Sequence, residues 1–234
     1  MLKLMKLEWK KHRLSRYFKG VVICIIAIFA SVGLMAWGSK AESEQMFLDY
    51  AGFMSLTNIF IRTTFMIFSA VILSRLVIDE YRSKTMQLLF TYPLQRKKLM
   101  QAKLAIVFGF CFCSIIVTTF IINMLTFFLN PIIGFFGKPV SMGEIIATVP
   151  STFLSAFMMA GISLVPLYFG MRKKSTPTTI TSSVLIGCVI NSAVSDASGS
   201  VSLFDFIGVP IAFCLLGLIV GYLSYHKVDK MDVA

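Results

Sequence analysis

The amino-acid sequence points to an all-α integral membrane protein of six transmembrane helices, with an interfacial helix at the amino terminus and a short further helix on the cytoplasmic side. Three observations carry that expectation. First, 57% of the 234 residues are hydrophobic and only 14% are charged, whereas soluble domains are about one-quarter charged. A mean hydropathy of +0.82, with 22 Phe and 14 Met, leaves more apolar surface than a water-soluble globule of this size can hide, so the solvent for most of the chain is lipid. Second, uncharged runs recur at the length that crosses about 30 Å of hydrocarbon. Third, the basic residues are sorted onto alternate connections between those runs.

Residues 1–18 are basic and precede a run of span length. On a helix, Lys3, Lys6, Lys10 and Arg13 share one face, and Leu4, Leu7, Leu14 and Phe18 an adjoining one, with Trp9 nearby and Lys11 intruding on the apolar side. That arrangement suits a helix lying on an anionic inner leaflet, with an ordinary basic tail as the alternative. A signal peptide is disfavoured, because the basic region is too long and no small-residue cleavage site stands clear of the apolar run.

The spans follow in order. Residues 20–39 form the first. The second, 55–78, is apolar apart from Arg62 near one end and Arg75 near the other. Residues 104–137 carry no charge but are too long for one straight helix, and Asn130-Pro131 and Gly134 interrupt them. The third span is therefore expected to cover 104–129, with the remainder a loop or re-entrant piece. Residues 145–171 make the fourth, with Pro150 near its start, Pro166 near its end and Gly161 between; 175–195 and 206–225 make the fifth and sixth. The whole chain, 1–234, reads as a single transmembrane domain.

An even number of spans puts both termini on one side. Nineteen of the 22 Lys and Arg fall on that side, only Lys40 and Lys138 fall on the other, and Arg62 lies within a span. The positive-inside bias makes both termini cytoplasmic and the chain a multi-pass protein of the cell membrane. The opposite face holds Glu42, Glu44, Asp49, Glu144, Asp196 and Asp205, six of the eleven acids. The net charge of +11 is thus accounted for by topology, and the lipid bilayer rather than nucleic acid is the partner it implies.

The polar residues that membrane chemistry needs are sparse. The two histidines, His12 and His226, lie in the cytoplasmic tails, so His-ligated metal and Ser-His catalysis within the bilayer lack their parts. No acid stands in the middle of a span, which disfavours a proton- or sodium-coupled transporter. Gly134-Phe-Phe-Gly-Lys138 lacks the spacing of a phosphate loop, so ATP hydrolysis by this chain alone is not expected. Cys24, Cys111, Cys113, Cys188 and Cys214 all fall inside spans and read as packing residues, without a disulfide or a metal. Arg62 has two readings: contact with an anionic or peptide-carboxylate substrate, or a side chain that snorkels to the outer interface or pairs with Asp49.

The connection between the second and third spans is patterned. Tyr81, Thr85, Leu88, Leu89 and Tyr92 follow i, i+4, i+7, i+8, i+11, one stripe of a helix, while Asp79, Glu80, Arg82, Ser83, Lys84 and Gln87 take the remaining faces and Pro93 stops the run. A short amphipathic helix of this kind can dock into a groove of a partner protein or lie along the inner leaflet.

Glu80-x4-Thr85-x3-Leu89-x3-Pro93, followed by Arg96 and by Lys103 ten residues after the proline, resembles the coupling segment of type-2 ABC transporter permeases. In that family the segment lies between the second and third of six spans, as it does here, and the order of elements agrees along the whole chain. Ala102 departs from the pattern, standing where the family usually has Gly. The resemblance implies the permease subunit of an ATP-driven exporter, akin to small bacterial exporters and antimicrobial-peptide immunity permeases. Its coupling segment is residues 79–98, with Glu80, Tyr81, Arg82, Lys84, Thr85, Leu88, Leu89, Tyr92 and Pro93 engaging the partner. The implied partners are two separate ABC ATPase subunits, which bind Mg-ATP, and a second permease chain, identical or related. The cargo implied is amphipathic or hydrophobic, such as a peptide, a drug or a lipid-like molecule. An ATP-independent channel or membrane scaffold is the alternative, and a membrane-embedded enzyme a more distant one.

Overall fold

Hydrocarbon offers the backbone no hydrogen bonds, so each apolar run must close its own, and it does so as a helix. The structure, a computed structural model, describes Met5, Glu8 and residues 15–41, 50–79, 96–133, 142–173, 175–196, 199–202 and 208–227. The helices are α1 (Ser15–Ala41), α2 (Tyr50–Leu73), α3 (Arg96–Ile133), α4 (Met142–Ala147), α5 (Val149–Ile162), α6 (Pro166–Lys173), α7 (Thr176–Asn191) and α8 (Gly208–Lys227). A π-helical turn, Ser74–Ile78, extends α2. Strands β1 (Ala193–Asp196) and β2 (Gly199–Ser202) pair antiparallel between α7 and α8, with Ala193 opposite Ser202 and Asp196 opposite Gly199. Among the described residues four stretches are long and apolar enough to cross a membrane: Tyr17–Gly38, Tyr50–Ile78, Lys98–Asn130 and Ile145–Lys173. The molecule is an essentially all-helical, multi-pass membrane protein.

Helices α7, α2, α3, α5 and α8 succeed one another in space, and α1 leans on α2 and α3. The central helix is α2: 61% of its span is buried within the protein, against 28% for α1. The main core gathers Phe65, Met66 and Leu73 of α2, Val107 and Ile122 of α3, and Met159 and Ile162 of α5, all fully buried. A smaller cluster at the other end of α2 joins Phe53 to Val32 and Ala36 of α1.

Several buried hydroxyls are turned back onto the chain. Thr57 donates to Phe53 O at 2.8 Å, Thr126 to Ile122 O at 2.8 Å and Ser163 to Ala160 O at 2.7 Å. Such bonds to the preceding turn keep small polar residues tolerable inside a bilayer. Polar bonds also cross between helices. Tyr50 Oη donates to Asn123 Oδ1 at 2.7 Å, tying α2 to α3. Asn191 Nδ2 donates to Thr63 Oγ1 at 3.1 Å, tying α7 to α2.

Several elements depart from the sequence-based expectation. Helix α1 is continuous from Ser15, so residues 15–18 run without a break into the first apolar helix; most of residues 1–14 lie outside the described residues. Helix α2 starts at Tyr50, five residues before the expected 55. Helix α3 runs through Asn130-Pro131 to Ile133 instead of stopping near 129. The expected fourth span is broken at Thr148 and at Ser163–Val165. Pro166 causes the second break, since its missing N–H and its ring disfavour helix in the residues before it. Shorter bonds bridge the gap, from Leu164 N–H to Gly161 O at 3.1 Å and from Val165 N–H to Ile162 O at 2.9 Å. The expected fifth span, to 195, ends as helix at Asn191, because Ser192 turns extended (ψ 133°) and Ala193 to Ser202 form the hairpin.

Helices α5 and α8 touch backbone to backbone. A Cβ at Gly217 would run into the carbonyl oxygen of Gly161, and a Cβ at Gly161 into the thiol of Cys214. Small residues at such a crossing let helices approach closely where no hydrophobic effect drives them together. Gly217→Ala is expected to cost about 1–3 kcal/mol through overpacking, read as a lower unfolding midpoint of the detergent-purified protein. Gly38→Ala, where a Cβ meets nothing within 4 Å, should leave the midpoint in place or raise it.

Candidate functional site

The site is built at the basic end of α2, next to the connection that the sequence singles out. There α2 widens into the π turn, with Asp79 N–H bonded back to Ser74 O. A π turn relaxes the regular ladder and is frequent where a helix must serve a function. Ser74, Leu76, Val77 and Ile78 are all buried, so carbonyls loosened here cannot turn to water.

Lys103 supplies the missing partner. Its side chain is fully buried, and Nζ donates to Leu76 O at 3.0 Å. An ammonium removed from water this completely is costly unless hydrogen-bonded. The bond therefore fastens the first turns of α3 to the π turn of α2. Ala102 beside it is also buried, at 1% exposure, so the α3 end packs closely there.

Two further contacts bind the same turn to the other half of the bundle. Thr176 Oγ1, in the first turn of α7, donates to Asp79 Oδ1 at 2.9 Å. The N-cap of α7, Ser175, makes no side-chain capping bond, and Asp79 brings a negative charge to that helix N-terminus, where the peptide dipoles favour it. On the next side, Gly170 of α6 lies so close that a Cβ there would strike Thr179 Oγ1 and come within 2.9 Å of Ile78 Cδ1. The root of α2 is thus held by α3, α6 and α7 together. At the same end Arg75 stands over the Tyr17 ring at 5.9 Å, and Tyr17 packs edge-on against Phe68, which brings α1 to the junction.

Of the residues expected to engage a partner, Glu80, Tyr81, Arg82, Lys84, Thr85, Leu88, Leu89, Tyr92 and Pro93 lie outside the described residues. What is described is the pair of anchors on either side, Asp79 and the start of α3. Arg62 is away from this junction. Because α2 begins at Tyr50, Arg62 stands twelve residues inside it, about 18 Å along the axis. It is half-buried and close to the midpoint of Tyr50–Ile78, deeper than its expected place near one end. The five cysteines are free thiols on helices.

Across residues 4–191 the sequence matches the family described as ABC-2 family transporter protein. The chain belongs to that family. It is 33% identical over 231 residues to the uncharacterized protein YcbO of Bacillus subtilis (strain 168), covering 99% of this chain and 100% of that protein. No solved structure matches it. An ABC-2 membrane protein is the permease component of an ABC transporter, a transport subunit and not itself a catalyst. The ABC-2 match takes in α1 to α7, and with them every contact at the root of α2.

Motif spacing in the sequence singles out Lys103 but not its burial or its acceptor. Asp79 and Thr176 stand 97 positions apart, and only the Ser175-Thr176-Pro177 start signal of α7 could have drawn attention to one of them. Lys103→Met is expected to leave Leu76 O without its donor and to lower stability by about 1–3 kcal/mol. Amide exchange at Ser74–Asp79 should accelerate in this variant, whereas Lys173→Met, at an exposed position, should change neither exchange nor midpoint.

Proposed function

We propose that this chain is the permease subunit of an ATP-driven exporter in a bacterial cell membrane, with six spans and both termini cytoplasmic. Helix α7, 16 residues, and α8, 20 residues, are then the fifth and sixth spans. At 1.5 Å per residue they reach about 24 and 30 Å, enough for a locally thin or adapted bilayer. The basic amino-terminal segment lies on the inner leaflet, and residues 79–98 are the coupling segment.

The observation that supports this most is the Lys103 bond to Leu76 O. A load applied to residues 80–95 reaches α2 and α3 at two ends already fastened to each other, so it moves the helix pair and does not merely bend the connection. Asp79 and Gly170 pass the same displacement to α7 and α6. In this reading the apolar face carrying Tyr81, Thr85, Leu88, Leu89 and Tyr92 inserts into a separate ABC ATPase, and Glu80, Arg82 and Lys84 form ion pairs around it, with Pro93 ending the helix. Two ATPase subunits bind Mg-ATP, close on it, and rock the spans of two permease chains, identical or related, between two states. The cargo is amphipathic or hydrophobic, and Arg62 near mid-depth meets its anionic group.

The test is co-expression with the stand-alone ABC ATPases of the source genome, followed by detergent purification. One ATPase should co-purify and hydrolyse ATP, and Leu89→Glu should abolish both. If no ATPase binds, the chain is an uncoupled channel or a scaffold. Arg62→Gln should keep the ATPase bound while lowering export of an anionic amphipathic substrate roughly tenfold, the worth of one charge-assisted hydrogen bond. An unchanged export rate removes Arg62 from the pathway.

A further inference from the structure

Between α1 and α3 lies a cavity of about 370 Å³, within the range of sites that hold small ligands. One wall is a single stripe of α3, Ala105, Gly109, Cys113 and Val117, each four residues from the last. The facing wall is Phe18 and Val21 of α1, together with Met5. Aromatic packing sets the back of it: Phe110, which lines the cavity, stacks on Phe68 at 5.8 Å and meets Phe18 edge-on at 6.2 Å. Ser114 is the one polar residue in the lining, and no charge enters it.

The cavity opens sideways. Ala105, Cys113, Val117 and Phe18 are exposed, and a Cβ at Gly109 would meet nothing within 4 Å. On a membrane helix that exposure faces lipid. The stripe from Ala105 to Val117 is about 18 Å long, a little more than half of a roughly 30 Å hydrocarbon core, which is the depth of one leaflet.

The charges at its end are complementary to an anion. Lys98 precedes Ala105 by seven residues, two turns further along the same face of α3, and Lys19 follows Phe18 directly in α1, about 100° round the helix from it. Both lysines are exposed, and their four-carbon stems let the ammonium groups reach the interface. Neither α1 nor α3 contains an acidic residue; Glu8, three residues from the lining Met5, is buried within the protein.

We propose that this cavity binds one anionic phospholipid of the leaflet at the basic end of the helices. An acyl chain lies along the Ala105–Val117 stripe, and the phosphate is held by Lys19 and Lys98. The site does not depend on ATP coupling, so it stands apart from the exporter reading.

The purified full chain, equilibrated with equal amounts of phosphatidylglycerol and phosphatidylcholine, is analysed by native mass spectrometry. One phosphatidylglycerol should be retained per chain in preference to phosphatidylcholine. The double variant Lys19→Gln, Lys98→Gln should reduce that preference by about fivefold per lysine. Gly109→Leu, which fills the open space and improves helix propensity, should lose both lipids. Equal retention of the two lipids, an unchanged preference in the double variant, or full lipid retention in Gly109→Leu would each overturn the proposal. A second copy of the chain on the same face is the competing occupant. A Cys113–Cys113 disulfide formed in membranes, with the other four cysteines replaced by Ala, would establish that occupant and refute the lipid site.

Discussion

Every backbone polar group inside the bilayer must find its partner within the protein, and much of the architecture follows from that constraint. It makes the apolar runs helical, and it folds the hydroxyls of Thr57, Thr126 and Ser163 back onto the preceding turn. It also governs where the helices are allowed to break. The interruption at Ser163–Val165 is bridged by short backbone bonds from Leu164 and Val165. The π turn at Ser74–Ile78 is permitted because Lys103 reaches Leu76 O from the neighbouring helix. An irregular turn buried in this way draws its stability from tertiary contact, which makes it a natural point for force to pass from one helix to another.

Packing adds a second layer to the same logic. Lipid tails are as apolar as leucine, so helices gain little from the hydrophobic effect alone and depend on close contact and on interhelical hydrogen bonds. The glycines at 161 and 217 give α5 and α8 backbone contact, Gly170 does the same for α6 against the root of α2, and Asn191 and Tyr50 supply polar bonds across helices. Helix α1 has little of this and presents much of its surface outward. That difference leaves room beside it for the apolar cavity against α3, with lysines at one end.

Much of this was legible from the residues. Hydropathy located the four stretches that are long and apolar enough to cross a membrane, because a run of apolar residues has the same meaning in any surroundings. Boundaries were less secure. Pro131 was expected to end α3, yet the helix passes through it, since proline in a membrane helix is tolerated when neighbours satisfy the freed carbonyls. Helix α2 begins at Tyr50, whose hydroxyl bonds to Asn123, and not at 55. That five-residue shift carried Arg62 from near a helix end to near mid-depth. At the site, the spacing from Glu80 to Lys103 was visible as a pattern, but its energetic content was not, because a lysine at a span start ordinarily reads as a snorkelling interfacial charge.

Composition, the sorting of 19 basic residues to one side and the spacing around Pro93 suffice for the class of molecule, its expected orientation and the resemblance to type-2 permeases. These properties are local or additive along the chain, so no knowledge of neighbours is needed to read them. The burial of Lys103, the tie from Asp79 to Thr176, the break before Pro166 and the open face at Gly109 arise where segments distant in sequence meet. Which acceptor a buried donor finds, and which face of a helix is left without a neighbour, are decided only when the helices are packed together.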